Sequence, residues 1–396
     1  MCDEYCRPLP IPLLMRVIAG IVADEYARET KRSLPVGEVV AWDAATQLDE
    51  DGVGLDSLTL LKAAQRVADF FAMRDVGYED YLLVSRTLGE WADLVAQSLA
   101  VKGETVTFRT SGSTGEPKSC THPFAHMVEE AVALARLAGS PQRIVSCVAP
   151  HHIYGFLHTI VSAAALSLET VDLRAAPPGA RLGRFRSGDL VVATPHLWSL
   201  MAEAGGRFAE GVTAMTSTAP MSAELADRLA EMGLTRLVEI YGSSETSGIG
   251  WRADLRAPYE LLPWWTRVGD RIARAGVEAV ALPDVVEWRD ARRLRPVRRE
   301  DGAVQIAGVN VYPVRVAETI RRFPGVTDCI VRRSGRGDDS RLEAFVVSAS
   351  GAFNKDAMAR GIEGYCQRNL TAPERPARIE IGRGLPLDAM GKPTAW

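Results

Sequence analysis

Apolar residues recur at helical spacing through the first hundred positions. Residues 12 to 33, rich in Leu, Ile, Val and Ala, predict one amphipathic helix that stops before the turn signals Pro35 and Gly37. In GLDSLTLLKAAQRVADFFAM, positions 58, 60, 61, 64, 67 and 70 share one helical face, and Asp56 or Ser57 is placed to cap its start. RTLGEWADLVAQSLA, 86 to 100, predicts a third helix. The first hundred residues read as a small helical module.

The period changes at Val106. RIVSCVAP and DLVVATP, with the weaker VDLRAA, predict short strands, and LTRLVEIYG predicts another. They alternate with the helical patterns FAHMVEEAVALARLA and SAELADRLAEMG. That order predicts an α/β fold with a layered, largely parallel sheet. After Asp301 the texture shifts again, to short strands (AVQIAG, VTDCIVRR, RLEAFVVS) and two helices (VRVAETIRRF, DAMARGIEGYCQRNL), a compact α+β unit. Three segments are expected: 1–104, 105–301 and 302–396.

Composition narrows the function classes. A chain of 396 residues has room for more than one core, and 47% apolar with 24% charged residues is globular. The net charge of −4 supplies no basic field for nucleic acid or anionic lipid, so neither is expected as a partner. The N-terminus MCDEYCRPLP has acids where a secretory signal needs bases, and no apolar run approaches a membrane span, so a cytoplasmic location is expected. The six cysteines show neither a CxxC pair nor a zinc-like spacing, which suits reduced thiols. All six histidines fall between 122 and 196, and that marks the region for close reading.

The strongest chemical signal is Thr110-Ser111-Gly112-Ser113-Thr114-Gly115-Glu116-Pro117-Lys118. Glycines let the backbone approach a polyphosphate, consecutive N–H groups make an anion nest, hydroxyls add donors and Lys118 adds charge. The loop lacks the GK[ST] ending of a Walker A motif, which disfavours an ordinary P-loop NTPase.

This loop resembles the phosphate-loop signature of the acyl-adenylate-forming superfamily: acyl- and aryl-CoA synthetases, peptide-synthetase adenylation domains and luciferases. Further stretches match in order. Pro150-His151-His152-Ile153-Tyr154-Gly155 is similar to the motif whose histidine borders the acyl pocket, which here is His152. Ser217-Thr218-Ala219-Pro220 is similar to the GGAP adenine-side turn, and Tyr241-Gly242-Ser243-Ser244-Glu245-Thr246 looks like the YGSTE motif. The segment from LPD (Asp284) to Arg299 and Asp301 resembles the TGD-to-hinge region, and LPLDAMGK resembles the C-terminal lysine motif. The resemblance implies an adenylate-forming fold with a small helical N-terminal module, an ATP-binding adenylation domain and a mobile C-terminal lid. It implies ATP and Mg²⁺ as cofactors. Tyr241 would stack on adenine, Glu245 would ligate Mg²⁺, Asp284 and Arg299 would meet the ribose, and Asp301 would be the hinge. Lys392 would reach the α-phosphate and carboxylate, with His152, Glu245 and Thr246 completing the catalytic set. Thr110 to Gly115, Lys118, Ser217 to Pro220, Gly242 and Ser243 would surround the nucleotide.

The turn Gly54-Leu55-Asp56-Ser57-Leu58 resembles the phosphopantetheine-bearing turn of an acyl carrier protein, so Ser57 is a candidate attachment point; equally, it suits a helix cap in a carrier-like scaffold. Trp251, Trp264 and Trp265 suit either core packing or the wall of an aromatic pocket. Six arginines between 289 and 299 suit a solvated basic face. The expected function is ATP-dependent adenylation of a small, aromatic carboxylic acid, followed by transfer to coenzyme A or to the phosphopantetheine thiol of an acyl carrier protein. Compact relatives of this pattern occur in aromatic natural-product and pigment pathways. Two alternatives remain open at this level: a diazotase that adenylates nitrite and diazotises an aromatic amine, and a non-catalytic carrier or nucleotide-binding module.

Overall fold

The structure is a computed structural model that describes residues 8–111, 117–299, 302–306, 309–335, 340–348 and 355–386. The chain divides into two compact units, Met1–Thr110 with Pro117–Thr266, and Ser111–Glu116 with Arg267–Trp396.

The first unit begins with helices. Ile11–Thr30 buries Leu14, Val17, Ile18 and Ile21, and stops where Lys31 turns left-handed with φ 59°. Ser57–Phe70 starts at Asp56, whose carboxylate accepts the Thr59 N–H at 2.7 Å. Of the two candidates Asp56 is therefore the cap, and Ser57 is the first helical residue and is exposed. Leu88–Lys102 opens with a reciprocal capping box between Thr87 and Glu90. Phe70 packs edge-on against Phe108 and Phe156, at 5.1 and 5.3 Å between ring centres. Arg109 pairs with Asp69 at 2.6 Å. Aromatic packing and charge thus join the helical segment to the rest of this unit.

The sheet runs, in spatial order, Glu169–Asp172, Arg143–Ser146, Asp189–Val192, Thr213–Thr216 and Arg236–Ser243, all parallel. Ser247–Arg252 and Tyr259–Leu261 continue it antiparallel. The fully buried runs RIVS and DLVV are what a sheet covered on both faces requires. Helices Phe124–Leu137, Pro195–Ala204 and Ala223–Glu231 lie among these strands in sequence, and Trp198, Met201, Val191 and Val212 form part of one core. The hairpin Thr105–Ser111 and Pro117–Pro123 forms a separate two-stranded sheet.

The second unit holds two antiparallel hairpins, Arg271–Arg274 with Val277–Ala281 and Asp284–Trp288 with Arg293–Arg299. Beyond them Val326–Ser334 pairs antiparallel with Arg341–Ser348, which runs parallel to Arg378–Gly382. Pro313–Arg321 and Lys355–Asn369 add Val316, Ile320, Ile362 and Cys366 to a core around Cys329 and Val346. This is the α+β texture expected after Asp301.

The sequence pattern misses Thr213–Thr216, the helix Pro195–Ala204 and the strands between 247 and 299. These are short, and several carry polar residues on both faces, so no period emerges in them. Cys120, Cys147, Cys329 and Cys366 are buried and form no disulfide among the described residues. No described helix is long and apolar enough to cross a membrane.

Candidate active site

Three of the motifs leave the sheet at one edge. Arg143–Ser146 leads into the turn holding His151 and His152, Thr213–Thr216 leads into Ser217–Pro220, and Arg236–Ser243 ends within Tyr241–Thr246. These strands are parallel, so all three turns lie beyond their carboxyl ends, the edge at which open α/β sheets bind ligands.

The phosphate-loop hairpin meets the third turn. Lys118 Nζ lies 3.8 Å from Glu245 Oε1. Further along the same strand His122 Nε2 donates to the Ser244 carbonyl at 2.7 Å. Burial holds the His122 imidazole below its usual pKa, so it is neutral at pH 7. One hydrogen bond and one ion pair therefore set the hairpin's second strand beside the Ser244–Glu245 corner. Thr246 closes that corner: its amide donates to Ser243 Oγ at 3.3 Å and its hydroxyl donates to the Ser247 carbonyl at 3.0 Å.

Tyr241 is buried against Tyr259, with 5.4 Å between ring centres. Two residues earlier on the same face, fully buried Glu239 accepts the Met221 N–H at 2.7 Å and Arg252 Nε at 2.5 Å. The Arg252 guanidinium lies 4.2 Å over the Tyr259 ring. Ser217 Oγ donates to the Ile240 carbonyl at 2.9 Å. Both ends of the 217–221 turn are thus tied to the strand that carries Tyr241. Between those ties Thr218 has φ 80°, an uncommon conformation for a β-branched residue, and its buried hydroxyl has no partner among the described residues. Ala219 and Pro220 complete the turn. Trp265 is core, donating to the Gly248 carbonyl at 2.7 Å, whereas Trp251 is half-buried opposite Ile240.

In the His motif, Tyr154 donates to the carbonyls of Met215 (2.8 Å) and Ala193 (3.2 Å), at the ends of neighbouring strands. Gly155 is required there because a Cβ would overlap the Ala149 carbonyl. His152 remains solvent-accessible. It leads into the π-helical turn Phe156–Val161.

In the second unit, Asp284 and Arg299 are paired in backbone register across an antiparallel ladder, and the Arg299 side chain lies outside what is described. Arg289, Arg292, Arg293, Arg295 and Arg298 are exposed there. Gly112, Ser113, Thr114, Gly115, Asp301 and Lys392 lie outside the described residues, and Thr110 and Ser111 are described in backbone only. Among the described residues no group of three or more His, Cys, Asp or Glu could hold a metal ion by itself.

Sequence reading missed Glu239, Arg252, Tyr259 and His122. Two signals were visible: the histidine cluster that includes His122, and an isolated acid, Glu239, inside the apolar run LVEIYG, since a lone charge in a buried strand calls for a partner.

Residues 104–312 match the model of the AMP-binding enzyme family. A protein named 4-coumarate–CoA ligase from Rhodobacter capsulatus is 36% identical over 97% of this chain and all of its own length. Another of that name, from Cereibacter sphaeroides, is 38% identical over 88% of this chain and 85% of its own. Among solved structures, an amide bond synthetase from Marinactinospora thermotolerans superposes with a TM-score of 0.60 at 16% identity, covering 96% of this chain and 92% of that one, a likeness of fold. With three of its motifs at one sheet edge and its family matched along more than half its length, the chain belongs to the AMP-binding enzymes of the acyl-adenylate-forming superfamily and is an AMP-forming ligase.

Proposed function

We propose that the chain uses ATP to activate a small planar aryl acid of the 4-coumarate class and transfers the acyl group to the thiol of coenzyme A. The observation that carries this reading is the meeting of Lys118 and Glu245, 3.8 Å apart, at the corner where the phosphate hairpin joins the Tyr241–Thr246 turn. The substrate class follows from the names of the full-length relatives.

In the first half-reaction a carboxylate oxygen attacks the α-phosphorus and pyrophosphate leaves. In the second, the thiol sulfur attacks the acyl carbonyl carbon, AMP leaves, and a thioester forms. Both steps need orientation and charge neutralisation more than covalent help. The backbone amides of residues 110–115 hold the phosphates and Lys118 neutralises them. Tyr241 covers one face of adenine, with Gly242, Ser243 and the turn Ser217–Pro220 beside it. Asp284 and Arg299, already paired across the ladder, take the ribose hydroxyls. His152 borders the acid, and Thr246 keeps the corner bearing Glu245 closed. Lys392 balances charge between carboxylate and α-phosphate. Glu245 is the residue that would hold Mg²⁺, which supplies neutralisation of the phosphate oxygens. A single, partly exposed carboxylate suits that ion, because Mg²⁺ keeps waters and fills its shell from phosphates.

The test is pyrophosphate release with MgATP over a panel of aryl and alkyl acids. Release with 4-coumarate or a close analogue, turning over to AMP and thioester once coenzyme A is added, is the expected outcome. Turnover only with nitrite and an aromatic amine together would replace this reading with the diazotase one.

Ser57 belongs to a scaffold in this reading, since the helix it opens is wedged by Phe70 against Phe108 and Phe156. The protein co-expressed with a broad-specificity phosphopantetheinyl transferase should keep its unmodified mass. Stoichiometric addition at Ser57 would make the enzyme self-loading instead.

A further inference from the structure

Both ring nitrogens of His151 are buried and have no hydrogen-bond partner among the described residues. An imidazole left in that state is a net cost to the fold, so its placement needs a reason. On one side its ring lies against His152, with 4.4 Å between centres and 37° between planes. On the other side Nδ1 fills the space beside Gly20, where a Cβ would overlap it. Gly20 sits in the middle of the helix Ile11–Thr30, a position where glycine is unfavourable relative to alanine, and the imidazole uses the room it leaves.

The surroundings keep the His151 ring uncharged. One turn along from Gly20, Asp24 pairs with Arg66 at 2.5 Å, and the neighbouring Glu25 meets the same guanidinium at 3.3 Å. Arg66 comes from the helix Ser57–Phe70, so two N-terminal helices close around the pair. Burial holds the His151 imidazole well below its usual pKa; the neighbouring His152 and Arg66 push it down further, while Asp24 pulls it up. The His151 ring is neutral at pH 7. His151 is wedged, and His152 alone of the two is well exposed to solvent.

We infer that the N-terminal helix is the back wall of the acid site: Gly20 seats the His151 ring, and that ring sets the orientation in which His152 faces the acid. Gly20 and His151 are positioning residues that act through His152. The inference rests on the proposed placement of the acid beside His152, and it assigns a role in acid recognition to a segment whose sequence resembles a carrier.

The experiment compares the whole enzyme with its Gly20→Ala variant, in kinetics and in histidine side-chain ¹⁵N–¹H NMR. The added methyl displaces His151, so KM for the aryl acid should rise about fivefold or more while KM for ATP stays within about twofold. Without any substrate, the ring signals of His151 and His152 should move and that of His196 should stay. Equal rises in both KM values, no change in either, or an unmoved His152 signal would overturn the inference. If Gly20→Ala does not fold, His151→Phe and His151→Ala decide. Phe keeps a ring against His152 and should retain the acid KM; Ala removes it and should lose it, and equal behaviour of the two variants would count against the role. Should the wild-type enzyme release no pyrophosphate with any aryl acid, the proposed function fails, and the substrate-free NMR comparison still reads the seating of His152.

Discussion

Replacing Lys392 with alanine should lower pyrophosphate release by a factor of about 10² or more while MgATP still binds. The size follows from where charge develops. As the carboxylate oxygen closes on the α-phosphorus, two anionic groups are brought together, and a cation between them stabilises the transition state more than either ground state. In the proposed site the phosphates would still meet Lys118 and the loop amides, so ATP affinity should hold within a few-fold. The measurement is paired: equilibrium binding of ATP, and pyrophosphate release with saturating aryl acid. A variant that binds ATP and releases pyrophosphate at the wild-type rate would remove Lys392 from the mechanism. Preloaded acyl-adenylate offers a second check. If Lys392 serves only the adenylating step, transfer of the acyl group from that intermediate to the thiol should be much less affected.

The largest expected effect on stability lies in the sheet. Arg143 and Asp189 stand opposite each other on adjacent parallel strands. Arg143 donates two parallel hydrogen bonds to the carboxylate, at 2.8 and 2.7 Å, and a third to the Arg184 carbonyl at 3.2 Å. Asp189 also accepts the Arg186 N–H at 2.7 Å, and its side chain is 1% exposed. Arg143→Ala would strand that carboxylate in a dry site, and removing one partner of such a pair costs about 3–5 kcal/mol. The urea midpoint should fall with little change in slope. The double variant Arg143→Leu with Asp189→Leu should lose less than the sum of the two single changes, because no unpaired charge remains. By contrast Arg256→Ala, which breaks an exposed pair with Asp227, should leave the midpoint unmoved. Equal losses from the two arginines would show that burial is not what gives the Arg143 pair its weight.

Several features are legible from residue order alone because the chemistry is local. The loop 110–118 reads as a phosphate cradle since its glycines, hydroxyls and lysine are contiguous. Strands such as Arg143–Ser146 and Asp189–Val192 announce themselves because burial on both faces demands unbroken apolar runs. The order of the motifs is enough to indicate the family, which full-length relatives and the family match bear out. What tertiary structure decided is which distant residues meet. Glu239 acquires meaning when folding brings Met221 and Arg252 to it. His122 finds the Ser244 carbonyl 122 positions away, and the room left by Gly20 is filled by the His151 ring. The cap assignment at Asp56 rather than Ser57 depended on backbone geometry, since either side chain suits the role by type. Periodicity records how a segment faces water, and contiguous motifs record what a loop can bind. Neither records which buried polar group will satisfy another across the sheet, because that pairing is a property of the closed core and not of any stretch of chain.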